Sequence, residues 1–330
     1  MSDVFICMSA YHVLQALVLG NLDDVIILSM SDLDQRLEKA IDHKFLGKVL
    51  RTHGLEDYKK NISIIPIAFR YNLRKVIKYF HSLRIKDIYV FNDVSPITQY
   101  LCQNIPFMGE VVVVEEGIGL YRDSQVRQAN LFKLFGKICF GKSFQFIVRQ
   151  GTSNFVKTIM CHYPRLLNTQ QVRKKIVVMP NTSFKEVANE LGIKQFNGVD
   201  WFIGQPLVED GVMAKDDYMK IISHLVDKSF KSRRNLVIKL HPREDYDKYS
   251  TFVDSSHIVK DWKIPMELLI GNQVPVKIYT IYSSAILQLA NLNNIQCYLL
   301  YEAAGISIPD LNKIFSQINA VSVKSLEELE

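Results

Sequence analysis

Two adjacent carboxylates end a run of four valines in the first half of the chain. The run covers residues 111–114, and Glu115, Glu116 and Gly117 follow it directly. Consecutive β-branched residues are typical of a buried strand, and adjacent side chains at the end of a strand point to opposite sides. One carboxylate can therefore face a ligand while the other supports it, which makes the pair a candidate general base. The alternative is a solvated strand end followed by a glycine turn.

A histidine and a proline follow a second apolar run, residues 236–240, which includes Lys239. Pro242 restricts the backbone before it, so the direction of His241 is fixed. Histidine exchanges a proton near neutral pH, and His241 is therefore a candidate for protonating or stabilising a leaving phosphate. The alternative is a histidine that is hydrogen-bonded within its own loop.

Two serines, Ser283 and Ser284, lie between a predicted strand at 276–281 and a predicted helix at 285–291. Hydroxyl groups at a helix start can bind phosphate together with free backbone N–H groups and the helix dipole. The alternative is ordinary capping of the helix, which serine performs often.

All three sites follow predicted strands, and the whole chain alternates strands with helices. In the first half, the predicted strands are 4–8, 25–29, 62–67, 88–92 and 111–114, and the predicted helices are 32–50, 72–83 and 95–102. In the second half, the predicted strands are 201–203, 236–240, 257–259, 276–281 and 296–300, and the predicted helices are 216–228, 265–270 and 285–291. This alternation predicts two Rossmann-like α/β domains, 1–165 and 166–330, each with a parallel sheet. A cleft between them would place a ligand at the carboxyl ends of the strands.

Composition restricts the class of protein. The 330 residues are 48% hydrophobic and 22% charged, which excludes a disordered or collagen-like chain. The net charge of +6 suits an anionic ligand or membrane surface but is too small to indicate a nucleic-acid partner. Five cysteines without a closely spaced pair argue against disulfides and a cysteine zinc site, so we expect a reducing, cytoplasmic location. Polar residues interrupt the uncharged runs 4–22 and 278–301, so we expect neither a secretory signal nor a membrane span.

The three motifs together resemble those of bacterial sialyltransferases. Those enzymes share, in this order, an acidic pair before a glycine, a His-Pro dipeptide and a Ser-Ser or Ser-Thr pair. The wider context, including residues 9–12, 203–206 and 239–244, is most similar to glycosyltransferase family 52, the lipooligosaccharide and capsule sialyltransferases. The resemblance extends from the first predicted strand to the serine pair.

This resemblance implies a GT-B fold, CMP-sialic acid as the donor and inversion at the anomeric carbon. The N-terminal domain would supply the base and the acceptor side, and the C-terminal domain would bind the donor. Glu116 is the first choice for the base with Glu115 as the alternative, and His241 would act on the departing phosphate. The other residues that the resemblance assigns to substrate binding, with Glu267 on the cytidine ribose, are Gly117, Gly204, Gln205, Lys239, Pro242, Glu267, Ser283, Ser284 and His12.

No metal or other cofactor is expected, because one histidine and two serines can neutralise a monophosphate leaving group. Two Asp-x-Asp triplets, 32–34 and 245–247, are interpreted as a helix cap and a solvated segment. The expected acceptor is a terminal galactose-type sugar of a surface glycan, free or lipid-linked. The alternatives are a GT-B transferase with another donor such as UDP-glucose, or a non-catalytic nucleotide-sugar-binding subunit.

The apolar and basic stretch 131–140 has two alternative interpretations. It alternates aromatic and aliphatic residues with lysines. It fits peripheral contact with the anionic cytoplasmic face of the inner membrane. The alternative is packing within the chain or against a second subunit of a homodimer.

Overall fold

The chain divides into two compact units, Met1–Pro180 and Asn181–Glu330. The computed structural model describes residues 1–20, 25–29, 35–37, 65–122, 136–138, 140–180, 184–249, 258–261, 263–271, 276–307 and 309–329. The division lies 15 residues after the predicted boundary at 165/166, because a strand at Lys175–Val178 pairs with the first sheet. The sequence prediction missed this strand, which is short and partly exposed.

The first unit is a six-stranded parallel sheet with helices between its strands. Its elements are β1 (Ser2–Cys7), α1 (Ala10–Leu19), β2 (Val25–Ser29), α2 (Ile65–Phe80), β3 (Ile85–Val90), α3 (Pro96–Asn104), β4 (Val111–Val114), β5 (Val156–Cys161) and β6 (Lys175–Val178). The described strands lie in the order β2-β1-β3-β4-β5-β6. All four valines of β4 are buried, as a strand covered on both faces requires.

The second unit is also a six-stranded parallel sheet. Its elements are α4 (Lys185–Glu190), β7 (Val199–Ile203), α5 (Lys215–Lys231), β8 (Asn235–Lys239), β9 (Ile258–Val259), β10 (Val276–Thr280), α6 (Ile286–Leu289), β11 (Ile295–Leu299), α7 (Pro309–Phe315) and β12 (Ala320–Ser322). The order β9-β8-β7-β10-β11-β12 is the 3-2-1-4-5-6 order of the Rossmann fold. The two sheets confirm the prediction of two Rossmann-like domains, the pair of domains that make up a GT-B fold.

Each sheet has one point where the order of its strands reverses. The reversal lies between β1 and β3 in the first unit and between β7 and β10 in the second. In open α/β sheets, ligands bind outside the carboxyl ends of the strands at such a point. The loops that follow these strands are therefore the candidate ligand-binding position of each unit.

Several predicted elements differ from the structure. The strand predicted at 62–67 is wrong for residues 65–67, which begin α2. Pro66 suits the first helical turn, where an N–H is not needed, and the buried residues Leu73, Val76, Ile77 and Phe80 follow helical spacing. The helix predicted at 265–270 is only a 3-10 turn at Met266–Leu268.

Two earlier interpretations fall largely on residues that the structure does not describe. Within the predicted helix 32–50, residues 35–37 are described and are helical. Within the stretch 131–140, only 136–138 and 140 are described, so the membrane interpretation lies mostly outside the described residues. Among the described helices, none has the length and apolar character needed to cross a membrane.

Candidate functional site

The two glutamates after β4 have different surroundings. Only 3% of the Glu115 side chain is exposed, whereas 23% of the Glu116 side chain is. Gly117 follows with φ 135°, a backbone conformation that favours glycine. The strand ends at Val114, and the turn at Gly117 redirects the chain just after Glu116, which keeps that carboxylate at the carboxyl edge of the sheet.

Glu116 is paired with a histidine from the first turn of α1. The Oε2 atom of Glu116 lies 3.0 Å from Nε2 of His12. On the other side of the ring, the Met8 N–H donates to Nδ1 of His12 at 3.0 Å. Because Nδ1 accepts a hydrogen bond, the ring proton lies on Nε2, and His12 donates it to Glu116. The family resemblance assigned His12 to substrate binding, which stays a prediction, and the structure places its ring as a partner of Glu116.

Two further side chains complete this cluster. The ring of Phe91 stacks on the ring of His12, with centroids 4.2 Å apart. The Nδ2 group of Asn92 lies 3.5 Å from Oε1 of Glu116. His12 follows β1, Asn92 follows β3 and Glu116 follows β4, so the cluster spans the reversal point of the first sheet. A carboxylate held by two donors and still partly exposed can accept a proton from a bound hydroxyl group.

Glu115 connects the loops that follow β4 and β5. Its Oε2 atom accepts hydrogen bonds from the Tyr121 hydroxyl and, at 2.7 Å, from the backbone N–H of His162. The Nδ1 atom of His162 lies 3.3 Å from Oε1. Burial and the negative charge of Glu115 raise the pKa of Tyr121, so its hydroxyl stays protonated and donates. Glu115 is thus a buried support.

His241 follows β8 in the second unit and is half-buried. The Arg243 N–H donates to its Nδ1 at 3.2 Å, which leaves the ring proton on Nε2. Burial lowers the pKa of His241, and the positive charge of Arg243 also lowers it, against the effect of nearby carboxylates. At neutral pH the ring is therefore an uncharged donor through Nε2. Pro242, on the other side of the dipeptide, is exposed.

The loops after β7 and β10 are joined by the Gln205 side chain. Its Oε1 atom accepts a hydrogen bond from the Tyr282 N–H at 2.8 Å. The Thr280 hydroxyl donates to the Ile203 carbonyl at 3.2 Å and accepts from the Ser283 N–H at 3.1 Å. The structure thus brings Gln205 and Ser283 together at the reversal point of the second sheet. Gly204 is buried beside them and continues the pairing with β8, donating its N–H to the Lys239 carbonyl at 2.9 Å.

The serine pair lies before a helix that is shorter than predicted. Ser283 accepts a hydrogen bond from the Ala285 N–H at 3.4 Å, and Ser284 is exposed. The helix α6 has four residues, in place of the seven expected at 285–291. Because a single turn has little macrodipole, phosphate binding here depends on the hydroxyl and backbone groups themselves.

Lys239 and Glu267 are both buried in the second unit. The ammonium group of Lys239 donates to the Asp261 carbonyl at 2.7 Å, and burial lowers its pKa to about 8. Burial raises the pKa of Glu267 to about 7, against the effects of its own backbone N–H and of Lys239. The two residues also affect each other: the charge of Glu267 raises the pKa of Lys239, and the charge of Lys239 lowers the pKa of Glu267.

The second Asp-x-Asp triplet forms a local turn. The Asp245 carboxylate accepts from the Asp247 N–H at 3.0 Å, and both residues are exposed. The first triplet, 32–34, lies outside the described residues. Within the described ranges, no group of three or more His, Cys, Asp and Glu side chains has the arrangement of a metal site.

Several residues of these clusters were missed by the sequence reasoning. Asn92 ends a predicted strand, so the rule that located Glu116 could also have located it. His162 follows β5, which was not predicted. Tyr121 lies in a 3-10 turn, and nothing in its sequence context distinguishes it from a core residue.

Most of the chain matches one known protein family. Residues 3–302 match the family model described as alpha-2,8-polysialyltransferase. The chain belongs to the alpha-2,8-polysialyltransferase family. The expectation of a sialyltransferase is therefore confirmed at the level of the family, and the protein is a glycosyltransferase. Comparison with curated proteins gives no match.

Three solved structures are weakly similar to this polysialyltransferase-family chain. The spinosyn rhamnosyltransferase SpnG with thymidine diphosphate is 10% identical, with a TM-score of 0.46 over 100% of this chain and 88% of that one. The UDP-GlcNAc 2-epimerase of Neisseria meningitidis with UDP-GlcNAc is 11% identical, with a TM-score of 0.48 over 100% and 89%. Arabidopsis thaliana UGT89C1 with UDP is also 11% identical, with a TM-score of 0.49 over 100% and 89%.

Proposed function

We propose that this protein is an inverting sialyltransferase that transfers sialic acid from CMP-sialic acid to a hydroxyl group of a glycan. In the proposed reaction the acceptor hydroxyl loses its proton to Glu116, and its oxygen attacks the anomeric carbon of the donor. The bond from that carbon to the phosphate oxygen breaks, and CMP leaves with the electron pair. Direct displacement of this kind inverts the anomeric centre.

The observation that supports Glu116 as the base is the contrast between the two glutamates. Glu116 keeps 23% of its side chain exposed, and its carboxylate is oriented by His12 and Asn92. Glu115 has its oxygens occupied by donors from Tyr121 and His162 and is 3% exposed. A base must reach a substrate hydroxyl, and only a carboxylate with an accessible oxygen can do so. We therefore assign the base role to Glu116 and a supporting role to Glu115.

The second unit would bind CMP-sialic acid. The neutral Nε2–H of His241 is suited to donate a hydrogen bond to the departing phosphate, so we propose stabilisation of that charge instead of proton donation. Ser283 and Ser284 would bind the same phosphate, and Gly204 and Gln205 would line the nucleotide site. Glu267 would contact the ribose.

Lys239 and Pro242 would serve the donor site indirectly. The ammonium group of Lys239 is bonded to the Asp261 carbonyl, so its proposed role is to hold that loop. Pro242 would restrict the backbone that carries His241. Gly117 would set the turn that keeps Glu116 at the end of its strand.

The acceptor has two candidates. The description of the family favours a glycan that ends in sialic acid, to which an α2,8 linkage would be made. A galactose-type terminus of a capsule or lipooligosaccharide glycan, expected from the narrower resemblance to glycosyltransferase family 52, is the second candidate. A lipid-linked acceptor at the cytoplasmic face of the membrane, a homodimer and a cytoplasmic location stay predictions.

A CMP-release assay with two matched acceptors tests this proposal. The acceptors are one oligosaccharide with a terminal galactose and the same oligosaccharide capped with sialic acid. We expect CMP release from CMP-sialic acid to depend on an acceptor and to be faster with the capped one. Turnover of a UDP-sugar with no release of CMP would overturn the proposed donor, and transfer to the galactose terminus alone would support the second acceptor.

A further inference from the structure

A buried carboxylate in the second unit lies under the loops that carry His241 and Gln205. The side chain of Glu244 has no exposed surface, and Glu244 lies three positions after His241 in the sequence. Its Oε2 atom accepts a hydrogen bond from the backbone N–H of His241 at 2.7 Å. The carboxylate therefore holds the first residue of the His-Pro loop directly.

The other oxygen of Glu244 is bound by three donors. Its Oε1 atom lies 2.7 Å from the Tyr249 hydroxyl, 3.1 Å from the Tyr218 hydroxyl and 2.8 Å from the Lys248 ammonium group. Burial raises the pKa of both tyrosines, and the charge of Glu244 raises it further, so both hydroxyls stay protonated. A carboxylate with four donors in a buried site is held in one orientation.

The same network reaches the loop after β7. The Tyr218 hydroxyl accepts a hydrogen bond from the Gln205 N–H at 3.3 Å. Gln205 in turn binds the Tyr282 N–H, which precedes the serine pair. Glu244 is thus connected with the loops after β7, β8 and β10, the three central strands of the sheet.

Gly204 shows how closely the carboxylate approaches the β7 loop. A Cβ atom added to Gly204 would lie 2.2 Å from Oε2 of Glu244 and 2.9 Å from its Oε1. Real Cβ atoms do not approach other atoms so closely, so any larger residue would displace the carboxylate or the loop. The glycine at position 204 therefore makes room for Glu244.

We propose that Glu244 is a positioning residue of the donor-phosphate site, fixing the loops of His241 and Gln205 through its buried carboxylate. It touches no substrate in this role. The inference rests on the proposed function, because the positioned residue His241 acts on the phosphate of the donor.

Three variants separate positioning from general stability. Glu244→Gln keeps the volume of the side chain but has only one acceptor oxygen. It therefore cannot accept hydrogen bonds both from the His241 N–H and from the tyrosine and lysine donors. Gly204→Ala leaves Glu244 unchanged and pushes its carboxylate away. The matched control is Glu209→Gln, which removes the charge of the second carboxylate bound to Lys248, at 3.0 Å. The amide oxygen of the glutamine can still accept from the Asp245 N–H, which Glu209 binds at 2.9 Å, so the loop keeps this hydrogen bond.

The experiment combines amide hydrogen exchange with steady-state kinetics on the full chain. In Glu244→Gln and Gly204→Ala we expect the His241 and Gln205 amides to exchange at least about tenfold faster. We expect kcat for CMP release to fall about 10- to 100-fold, with KM for CMP-sialic acid changed less than about threefold. The double variant should lose little more than either single one, because both act on one contact. Glu209→Gln should change neither readout.

Several results would overturn the inference. Unchanged exchange of both amides in folded Gly204→Ala would show that Glu244 does not hold the loops. Faster exchange of the His241 and Gln205 amides with normal kcat would show that fixing these loops has no role in turnover. The same changes in amide exchange and kcat in Glu209→Gln would show that Glu244 has only a general structural role. If wild-type protein releases no CMP from CMP-sialic acid, the proposed function fails, and the exchange data alone decide whether Glu244 holds these loops.

Discussion

The two neighbouring glutamates after β4 differ in chemistry because they have different hydrogen-bond partners. The sequence located the pair, because valines that are buried on both faces must end at the edge of the sheet. The family resemblance put Glu116 first, because it directly precedes Gly117. The sequence could not separate the roles of Glu115 and Glu116 by contacts, since His12 and His162 come from distant parts of the chain. Those partners are brought to the pair only by the folded sheet.

Paired substitutions test this difference. Glu116→Gln keeps the shape but cannot take a proton, so transfer should fall about 100- to 10,000-fold with stability little changed. Glu115→Gln leaves buried donors facing an amide, so it should lower the free energy of unfolding by about 1–3 kcal/mol. Initial rates and urea denaturation of both variants are the measurements. Normal transfer by Glu116→Gln, with loss in a stable Glu115→Gln, would reverse the two roles.

His241 provides a test based on its protonation state. Burial lowers its pKa, so the hydrogen-bond donor is the neutral ring, and this neutral form predominates above that pKa. We therefore expect kcat to stay level between about pH 6.5 and pH 8, and His241→Ala to lower it about 100-fold or more. A fall in kcat of about tenfold per pH unit across this range, absent in His241→Ala, would show that the histidine acts as a charged acid.

Among the strands and helices, the sequence was most informative where burial is complete. The strand β4 was predicted with its observed bounds, and β8 and β10 to within one residue, because their apolar runs end in polar or turn residues. The strands β5 and β6 were missed because Lys157, Thr158 and Lys175 interrupt their apolar pattern. Because β6 pairs with the first sheet, the division between the units falls after it, at Pro180.

The buried turn at Met266–Leu268 makes the stability of the protein depend on pH. Burial raises the pKa of Glu267 from 4.5 to about 7, so between these values the folded protein keeps a proton that the unfolded chain has released. Stability contributed by the protonated carboxyl is therefore lost as the pH rises from about 4.5 to about 7.

The variant Glu267→Gln should remove this dependence. Relative to wild type, its free energy of unfolding should rise by up to about 3 kcal/mol between pH 4.5 and pH 7.5. Chemical denaturation across this range is the measurement, and Glu186→Gln, on an exposed position of α4, is the control. An identical pH dependence in wild type and Glu267→Gln would show that the carboxyl is not buried in this way.

In the molecule as a whole, the two Rossmann-like units carry different chemistry. The candidate base is in the first unit, and the candidate phosphate-binding groups are in the second. The sequence predicted this division from the positions of the motifs. It could not predict the contacts of Gln205 and Tyr282, because these join loops that are 77 residues apart in the chain.

Activity without a metal ion is a prediction for the complete enzyme. The leaving group of CMP-sialic acid carries a single phosphate, which the His241 ring and the two serines would stabilise. CMP release should therefore continue in EDTA at close to the untreated rate. Loss of activity in EDTA that is restored by magnesium or manganese would contradict this prediction.

The most direct test of the proposed activity is transfer of labelled sialic acid from CMP-sialic acid to an acceptor, with UDP-sugars as competing donors. Wild type should transfer sialic acid and ignore UDP-sugars. Glu116→Gln should bind CMP normally by calorimetry yet transfer almost none, and His241→Ala should lose turnover more than donor affinity. Wild-type protein that binds CMP-sialic acid no better than a UDP-sugar and transfers no sialic acid would contradict the proposed sialyltransferase activity.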